Sequence, residues 1–460
     1  MPASTDARLP RWDDMQGLVL SAYPHLDRAA YLLFTIHDRV ATAAWLKGLV
    51  GGGHVTPALK YRGKKTRHNV NVAFTAAGLA VLCGGEDALE EFAVPFVEGI
   101  AGRAHRSRVL GDTGPSAPDR WSWGAPQGQP QVHLLLMVFA EDAASLDAAI
   151  LEVGPPKDAA GRISAVFALP IAIAREREHF GFVDGISQPI LTGSDDAERF
   201  PESAHLTALG EIVCGYPNAD GAVAPVPALR RCPTFGLNGS YLVFRQIAQH
   251  VAEFWNAVYA RTQTNGHDDS VAAEHLAAKI VGRRPDGTPL VPGANRDDNE
   301  FGFSDDPYGQ ACPIGAHIRR ANPRDGFANN NVPAAPAVSL NRRRMLRRGR
   351  SYGTRLDDPR ADDGQERGLC FVGLNADIER QFEFVMQNWV NSSAFAGLRQ
   401  ERDPLIGDRA GATIDGAFTI PGAHGPACVS GLPRFVTVKG GGYFFLPGLR
   451  ALQCLAELAP

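Results

Sequence analysis

Two hydrophobic periods alternate along this chain. Gly17 to Ala22 and Ala30 to Ile36 are short apolar runs bounded by Pro, Asp and His, the pattern of buried strands. Asp38 is placed to cap a helix through Ala41 to Leu49, which Gly51-Gly52-Gly53 would end. Thr75 to Leu82 and Ala88 to Ile100 have helical spacing, His133 to Phe139 reads as a strand, and Ala143 to Val153 as a helix. Beyond Tyr241 to Phe244, a short strand, Ile247 to Val281 is largely helical. Gly368 to Leu374 predicts another strand and Asp377 to Val390 a helix. Arg434 to Val438 and Gly442 to Leu446 read as a hairpin, followed by a short closing helix.

Mixed strands and helices in both halves predict an α+β protein of two similar lobes. The Pro-rich stretch Asn218 to Pro233 suits the connection, which gives lobes 1–217 and 218–460. Gly282 to Gly309 and Asn322 to Asn341 are rich in Gly, Pro, Asp and Asn and read as long loops, a length that usually serves function.

Composition narrows the class of partner. Over 460 residues the net charge is -4, so neither nucleic acid nor an anionic membrane is called for. The 7 cysteines are scattered and odd in number, with no C-x-x-C, which argues against a disulfide framework, a zinc ribbon and covalent haem attachment. Neither a secretory leader nor an apolar stretch long enough to span a bilayer is visible, so a cytoplasmic location is expected.

Four places hold residues with chemical potential. His317, in CPIGAHIRRANPR, is of the type that ligates haem iron, and the arginines after it, Arg319, Arg320 and Arg324, would suit haem propionates; a core histidine and a solvated basic turn are the plainer readings. Asp184, in HFGFVDGISQP, sits between apolar residues and could transfer protons, with Gly181 and Gly185 admitting close approach of a flat ligand; a turn-capping Asp is the alternative. Arg347 lies among 6 arginines between Arg342 and Arg350, where a fixed guanidinium would stabilise peroxide as its O–O bond breaks. A polyanion-binding patch competes for the same cluster. Asp377, Glu379, Glu383 and Gln387, spaced along one predicted helix, could supply the acceptor that a ligating imidazole needs on its second nitrogen.

Taken together, GFVDG at Gly181 to Gly185, AHIRRANPR around His317 and MLRRGRSYG from Met345 resemble, in that order, the dye-decolorizing peroxidase family. Supporting similarity runs from DDMQGLVLSAY through NADIERQFEF to RFVTVKGGGYFFLPGL. The resemblance implies two ferredoxin-like lobes with one haem b, held mainly by the C-terminal lobe through His317 as axial ligand. Asp184 and Arg347 would assist proton movement and O–O cleavage of hydrogen peroxide, giving a ferryl haem that oxidises dyes, phenols or other bulky aromatic donors. Arg319, Gly185, Phe445 and Leu446 are expected at the cofactor, with Gln387, or else Glu383 or Asp377, behind His317. The stretch Gly326 to Ser339 separates His317 from Arg347 and is expected to shape the haem entrance. A haem carrier or sensor, or a protein that releases haem iron, is the alternative function. Homo-oligomerisation is left open.

Overall fold

A computed structural model describes residues 9–58, 66–159, 161–172, 177–296, 298–327, 340–409, 416–422 and 424–458. From residue 328 onward, the segment Gly326 to Ser339 lies outside the described residues. The strands in chain order are β1 (Arg28–Ile36), β2 (His68–Phe74), β3 (Leu134–Ala140), β4 (Ile163–Ala172), the short β5 (Ile190–Leu191) and β6 (Leu206–Thr207), β7 (Ser240–Gln249), β8 (Leu346–Arg347), β9 (Arg350–Tyr352), β10 (Gly368–Asn375), β11 (Phe418–Ile420), β12 (Ala427–Val429) and β13 (Val436–Leu446). The longer helices are α1 (Arg39–Gly51), α2 (Ala76–Cys83), α3 (Ala143–Val153), α4 (Val251–Ala260) and α5 (Ser270–Val281), followed by the five-residue α6 (His317–Ala321) and α7 (Leu449–Glu457).

The main sheet runs β7-β13-β2-β3-β1-β4-β9-β10, and β10 pairs back onto β7, so eight strands close into a ring. The first half of the chain supplies β1 to β4, which pair among themselves; the second half supplies the rest. Two seams join the halves, each a single residue pair: Phe74 with Phe445 and Ile171 with Tyr352. Both faces of the sheet are apolar, because a strand with helices on one side and the ring interior on the other must bury both sets of alternating side chains. Tyr31, Leu33, Phe139, Phe244 and Phe444 fill one core, and Phe34, Val72, Leu136, Tyr241 and Phe445 belong to the other. Chain-wide, the α+β architecture agrees with the pattern of apolar positions.

Several local expectations fail for identifiable reasons. Gly17–Val19 is a 3₁₀ turn rather than a strand, and Tyr23 packs so closely that a Cβ at Gly17 would strike its hydroxyl. Ala88 to Ile100 breaks into Glu86–Leu89 and Val94–Glu98, with Pro95 entering the second piece at its first turn. β7 continues to Gln249, so the helical stretch begins only at Val251. The expected hairpin after Arg434 is one long strand, β13, with a bulge between Val438 and Gly440. Its glycines do not turn the chain. The Trp123 indole lies where a Cβ on Gly440 would be, so glycine there allows a close crossing. Asp377 to Val390 is helical as expected, but its hydrogen bonds, such as Glu383 N to Ile378 O at 2.9 Å, span five residues, the wide π form.

Candidate active site

His317 opens α6, directly after Cys312-Pro313 and the small residues Gly315 and Ala316. Two arginines fix that short helix from opposite sides. Arg319 donates to the Cys312 and Asp306 carbonyls at 2.6 and 2.7 Å and to the Asp306 carboxylate at 3.1 Å, lying over the Phe303 ring. Arg320 donates to the carbonyls of Trp389, Ser392 and Glu401 at 2.7, 3.1 and 2.7 Å, and burial pulls its pKa down to about 10. A five-residue helix cannot hold itself, and these clamps make the orientation of His317 part of the surrounding fold.

The His317 imidazole is held at one nitrogen. Its Nδ1 donates to Asp403 Oδ2 at 2.9 Å, and the other oxygen of that carboxylate accepts the backbone N–H groups of Leu405 and Ile406, both at 2.9 Å. Asp403 is fully buried while 25% of the His317 side chain stays accessible. Burial by itself would lower the His317 pKa, but the charge and hydrogen bond of Asp403 more than offset it and the net direction is up. In Asp403 burial pushes upward, but the pull of His317, the Ile406 amide and Arg320 holds the carboxyl below its ordinary value. This pairing leaves Nε2 without a protein partner among the described residues.

Arg347 and Asp184 lie within electrostatic reach of the ring. Arg347 ends β8, which β10 holds through the pairs Gly373 with Arg347 and Leu374 with Leu346. The Arg347 backbone N–H donates to Gln188 Oε1 at 3.0 Å and its guanidinium to the Ser187 carbonyl, so the GISQ segment after Asp184 aims it. Burial lowers the Arg347 pKa and Asp184 opposes that, while both Arg347 and Asp184 act electrostatically on His317. The three residues therefore share one region although they come from distant stretches of sequence. Asp184 itself is exposed, not desolvated as its apolar neighbours suggest, and its Oδ1 accepts the Gly185 N–H at 2.7 Å. Gly185 has φ +79°, and a Cβ there would meet nothing within 4 Å, so the backbone faces open space beside the carboxylate.

A second group of cations borders this region. Arg324 donates to the Asn299 and Phe301 carbonyls at 2.7 Å each and to Ser187 Oγ at 3.4 Å. Arg344 approaches His205 Nδ1 at 3.0 Å, and burial together with Arg344 and Arg324 drives the His205 pKa down to about 4.

The residues expected behind His317 lie elsewhere. Gln387 is solvent-exposed. Glu383 accepts from Arg106 Nε at 2.7 Å and from the Tyr443 hydroxyl at 2.8 Å. Asp377 caps its own helix by accepting the Arg380 N–H at 2.9 Å. The acceptor is Asp403, 86 positions beyond the histidine, in a stretch where Asp precedes Pro-Leu-Ile. An Asp folded back onto the amides two and three residues ahead is a readable turn signal, but nothing in its spacing links it to His317. Arg319 is likewise corrected: its donors are used within the fold. Phe445 and Leu446 are adjacent on β13 and point to opposite faces, so they cannot line one pocket together. Phe445 packs with Phe92, Phe96, Phe235 and Tyr241 in one core, and Leu446 belongs to the other.

The fold thus brings together an imidazole tied to a buried carboxylate and, within its electrostatic reach, an arginine and an aspartate. The family described as Dyp-type peroxidase, C-terminal, matches residues 230–400. The chain is 36% identical over 301 residues to the multifunctional dye peroxidase DyP2 of Amycolatopsis sp., a match that spans 60% of this chain and 61% of that protein. It is 28% identical to a dye-decolorizing peroxidase of Exidia glandulosa across 96% of this chain and 86% of that one. Among solved structures, an ancestral D-type dye decolorizing peroxidase superposes with a TM-score of 0.78 at 27% identity, covering 98% of this chain and all of the other. A dye-decolorizing peroxidase in complex with 2,6-dimethoxyphenol gives 0.77 at 25% identity over 98% of this chain. The chain is similar to dye-decolorizing peroxidases along nearly its whole length, and that likeness implies a haem cofactor.

Proposed function

We propose that this chain holds one haem b through His317 Nε2 and reduces hydrogen peroxide with electrons drawn from dyes, phenols or similar aromatic donors. The observation that carries the reading is the His317–Asp403 pair, with Arg347 and Asp184 in its electrostatic neighbourhood. An imidazole whose Nδ1–H is committed to a carboxylate presents Nε2 as the lone-pair donor that iron requires, so the donor set fits the group. The open space at Gly185 supports a flat ligand between the two sides. Bound haem would supply the two-electron chemistry of peroxide reduction and the one-electron oxidations that follow.

The protein's own contributions follow from charge and position. Asp403 keeps the imidazole ring oriented and electron-rich. Arg347 presents a fixed positive charge to the oxygen that becomes negative as the peroxide bond breaks. Asp184, exposed and close to Arg347, takes a proton from the oxygen that approaches and returns it to the one that leaves. The aromatic donor is supported by the phenol named with the similar structure. The lobes 1–217 and 218–460, with His317 and Arg347 in the second and Asp184 reaching over from the first, are proposed on the strand pairing of each half. Among the described residues no helix is long and apolar enough to cross a membrane. A cytoplasmic location is proposed from the scattered, odd-numbered cysteines.

The test is an absorption spectrum of the haem-loaded protein before and after one equivalent of hydrogen peroxide. A Soret band that changes on addition and recovers with a phenolic donor supports the peroxidase reading. An unresponsive band would favour a carrier or sensor, and a His317→Ala protein with an unaltered Soret band would sink the ligand assignment.

A further inference from the structure

The segment that delivers Asp184 is folded around another carboxyl group. Arg177 and Val183 pair across a tight hairpin, Glu178 N–H donates to the Phe182 carbonyl at 2.9 Å, and Gly181, at φ +101°, makes the reversal. Inside this hairpin the Glu178 carboxylate accepts the N–H of Phe180 at 2.9 Å and of Phe182 at 2.8 Å. A third donor arrives from the other half of the protein, Gln249 Nε2 at the end of β7, at 2.6 Å. The same half grips the hairpin from outside: Trp255 Nε1 donates to the Phe180 carbonyl at 3.1 Å, and the Phe180 ring lies 4.7 Å from that of Phe254. Two residues after Phe182 comes Asp184.

We infer that Glu178 is a positioning residue for Asp184: its carboxylate folds the Arg177–Val183 hairpin from within and so sets where Asp184 stands to take a proton. The inference rests on the proton-transfer role proposed for Asp184. Three donors converge on Glu178, so the geometry asks for the ionised form, while burial pushes the carboxyl up to about 7. Asp184 acts on it in the same upward direction. The charged and titratable groups of the hairpin and its surroundings are Arg177, His179 and Asp184 on its own segment, Arg355 and Arg367, which act on His179, and His250, next to Gln249 in sequence and bonded to Thr437. As Glu178 ionises, its carboxylate accepts its three donors more strongly, and the hairpin that aims Asp184 tightens. The reaction with peroxide should therefore quicken as pH rises through neutrality.

The experiment follows the rate of the Soret change on mixing haem-loaded protein with hydrogen peroxide from pH 5 to 9, for wild type, Glu178→Gln, Glu178→Asp, Gln249→Leu and Asp184→Asn (the pH range is chosen about the ordinary and raised carboxyl values). An infrared pH titration of the protonated-carboxyl band on the same proteins reads Glu178 without reference to turnover. Glu178→Gln should keep its Soret band, lose on the order of tenfold in rate, and lose both the neutral inflection and the carboxyl band that titrates there. Glu178→Asp should recover part of each. Gln249→Leu removes one donor without altering the hairpin and should move the inflection to higher pH, which keeps the test open if Glu178→Gln does not fold. Wild-type rate and inflection in Glu178→Gln, with Asp184→Asn slow, would overturn the inference alone, as would an unmoved inflection in Gln249→Leu. A wild-type rate in Asp184→Asn would instead remove the role assigned to Asp184.

Discussion

Replacing Asp403 by Asn nearly preserves shape and removes one charge. The carboxylate uses both oxygens: Oδ2 accepts from His317 and Oδ1 from the amides of Leu405 and Ile406. An Asn side chain has one accepting oxygen and an NH2 group that only donates, so only one of these two sets of donors can be satisfied. Two backbone donors outweigh one imidazole, and the amide oxygen should turn to them, leaving an N–H group against Nδ1. The lost interaction is a hydrogen bond to a charged group, worth about 1.5–3 kcal/mol. A carboxylate behind the imidazole favours ferric over ferrous iron, so its loss should raise the one-electron potential of the bound haem by roughly 60–130 mV. A spectroelectrochemical titration of the haem-loaded protein measures this directly, with Gln387→Leu as the control that should not shift because Gln387 faces solvent. An unchanged or lower potential in Asp403→Asn would refute the argument, and a shift in Gln387→Leu would transfer the role to the residue expected first.

Other outcomes test separate parts of the site. Arg347→Leu should retain haem and slow the reaction with peroxide by about 10²–10³-fold; a wild-type rate in stopped flow would assign the role to another arginine. In protein freed of haem, the raised His317 pKa adds stability that is present below about 6.5 and lost as pH climbs through the folded value. The lowered Asp403 pKa adds stability present above about 3.9 and lost as pH falls through its own folded value. Thermal midpoints should thus show the pair's largest contribution between roughly pH 4 and 6.5, and Asp403→Asn should flatten that maximum. Phe445→Ala should cost about 3–5 kcal/mol in denaturant unfolding with an unaltered Soret band; a spectral shift without loss of stability would put Phe445 at the cofactor after all.

How far the sequence could be read depended on the range of the interaction concerned. Asp38 caps α1, accepting from the Val40 and Ala41 amides, because capping is decided within four residues. The strand at His133 to Phe139 and the helix at Ala143 to Val153 were equally legible, being a local apolar run and a local helical period. The glycines of β13 misled because their partner, the Trp123 indole, lies far away in sequence and leaves no periodic trace. His317, Asp184 and Arg347 were found through motif resemblance, and the fold brings them into one electrostatic neighbourhood. Asp403 escaped because a hydrogen bond across 86 positions has no local signature. Spacing along the 377–390 helix pointed to Glu383 and Gln387, but the wider π winding and the Arg106 and Tyr443 partners of Glu383 turn those side chains elsewhere.

The ring of strands has a consequence for synthesis. β2 and β4 form the two borders of the first four-stranded half, and each waits for a partner from the second: β13, starting at Val436, and β9, starting at Arg350. At a translation rate of about 5–20 residues per second, the nascent first half would carry both borders uncapped for on the order of tens of seconds. Open strand borders recruit strands from neighbouring chains. Production yield should therefore be limited by aggregation of ribosome-bound or truncated chains that have β4 but not β13, and slower growth temperatures or chaperone supply should help more than any stabilisation of the finished protein.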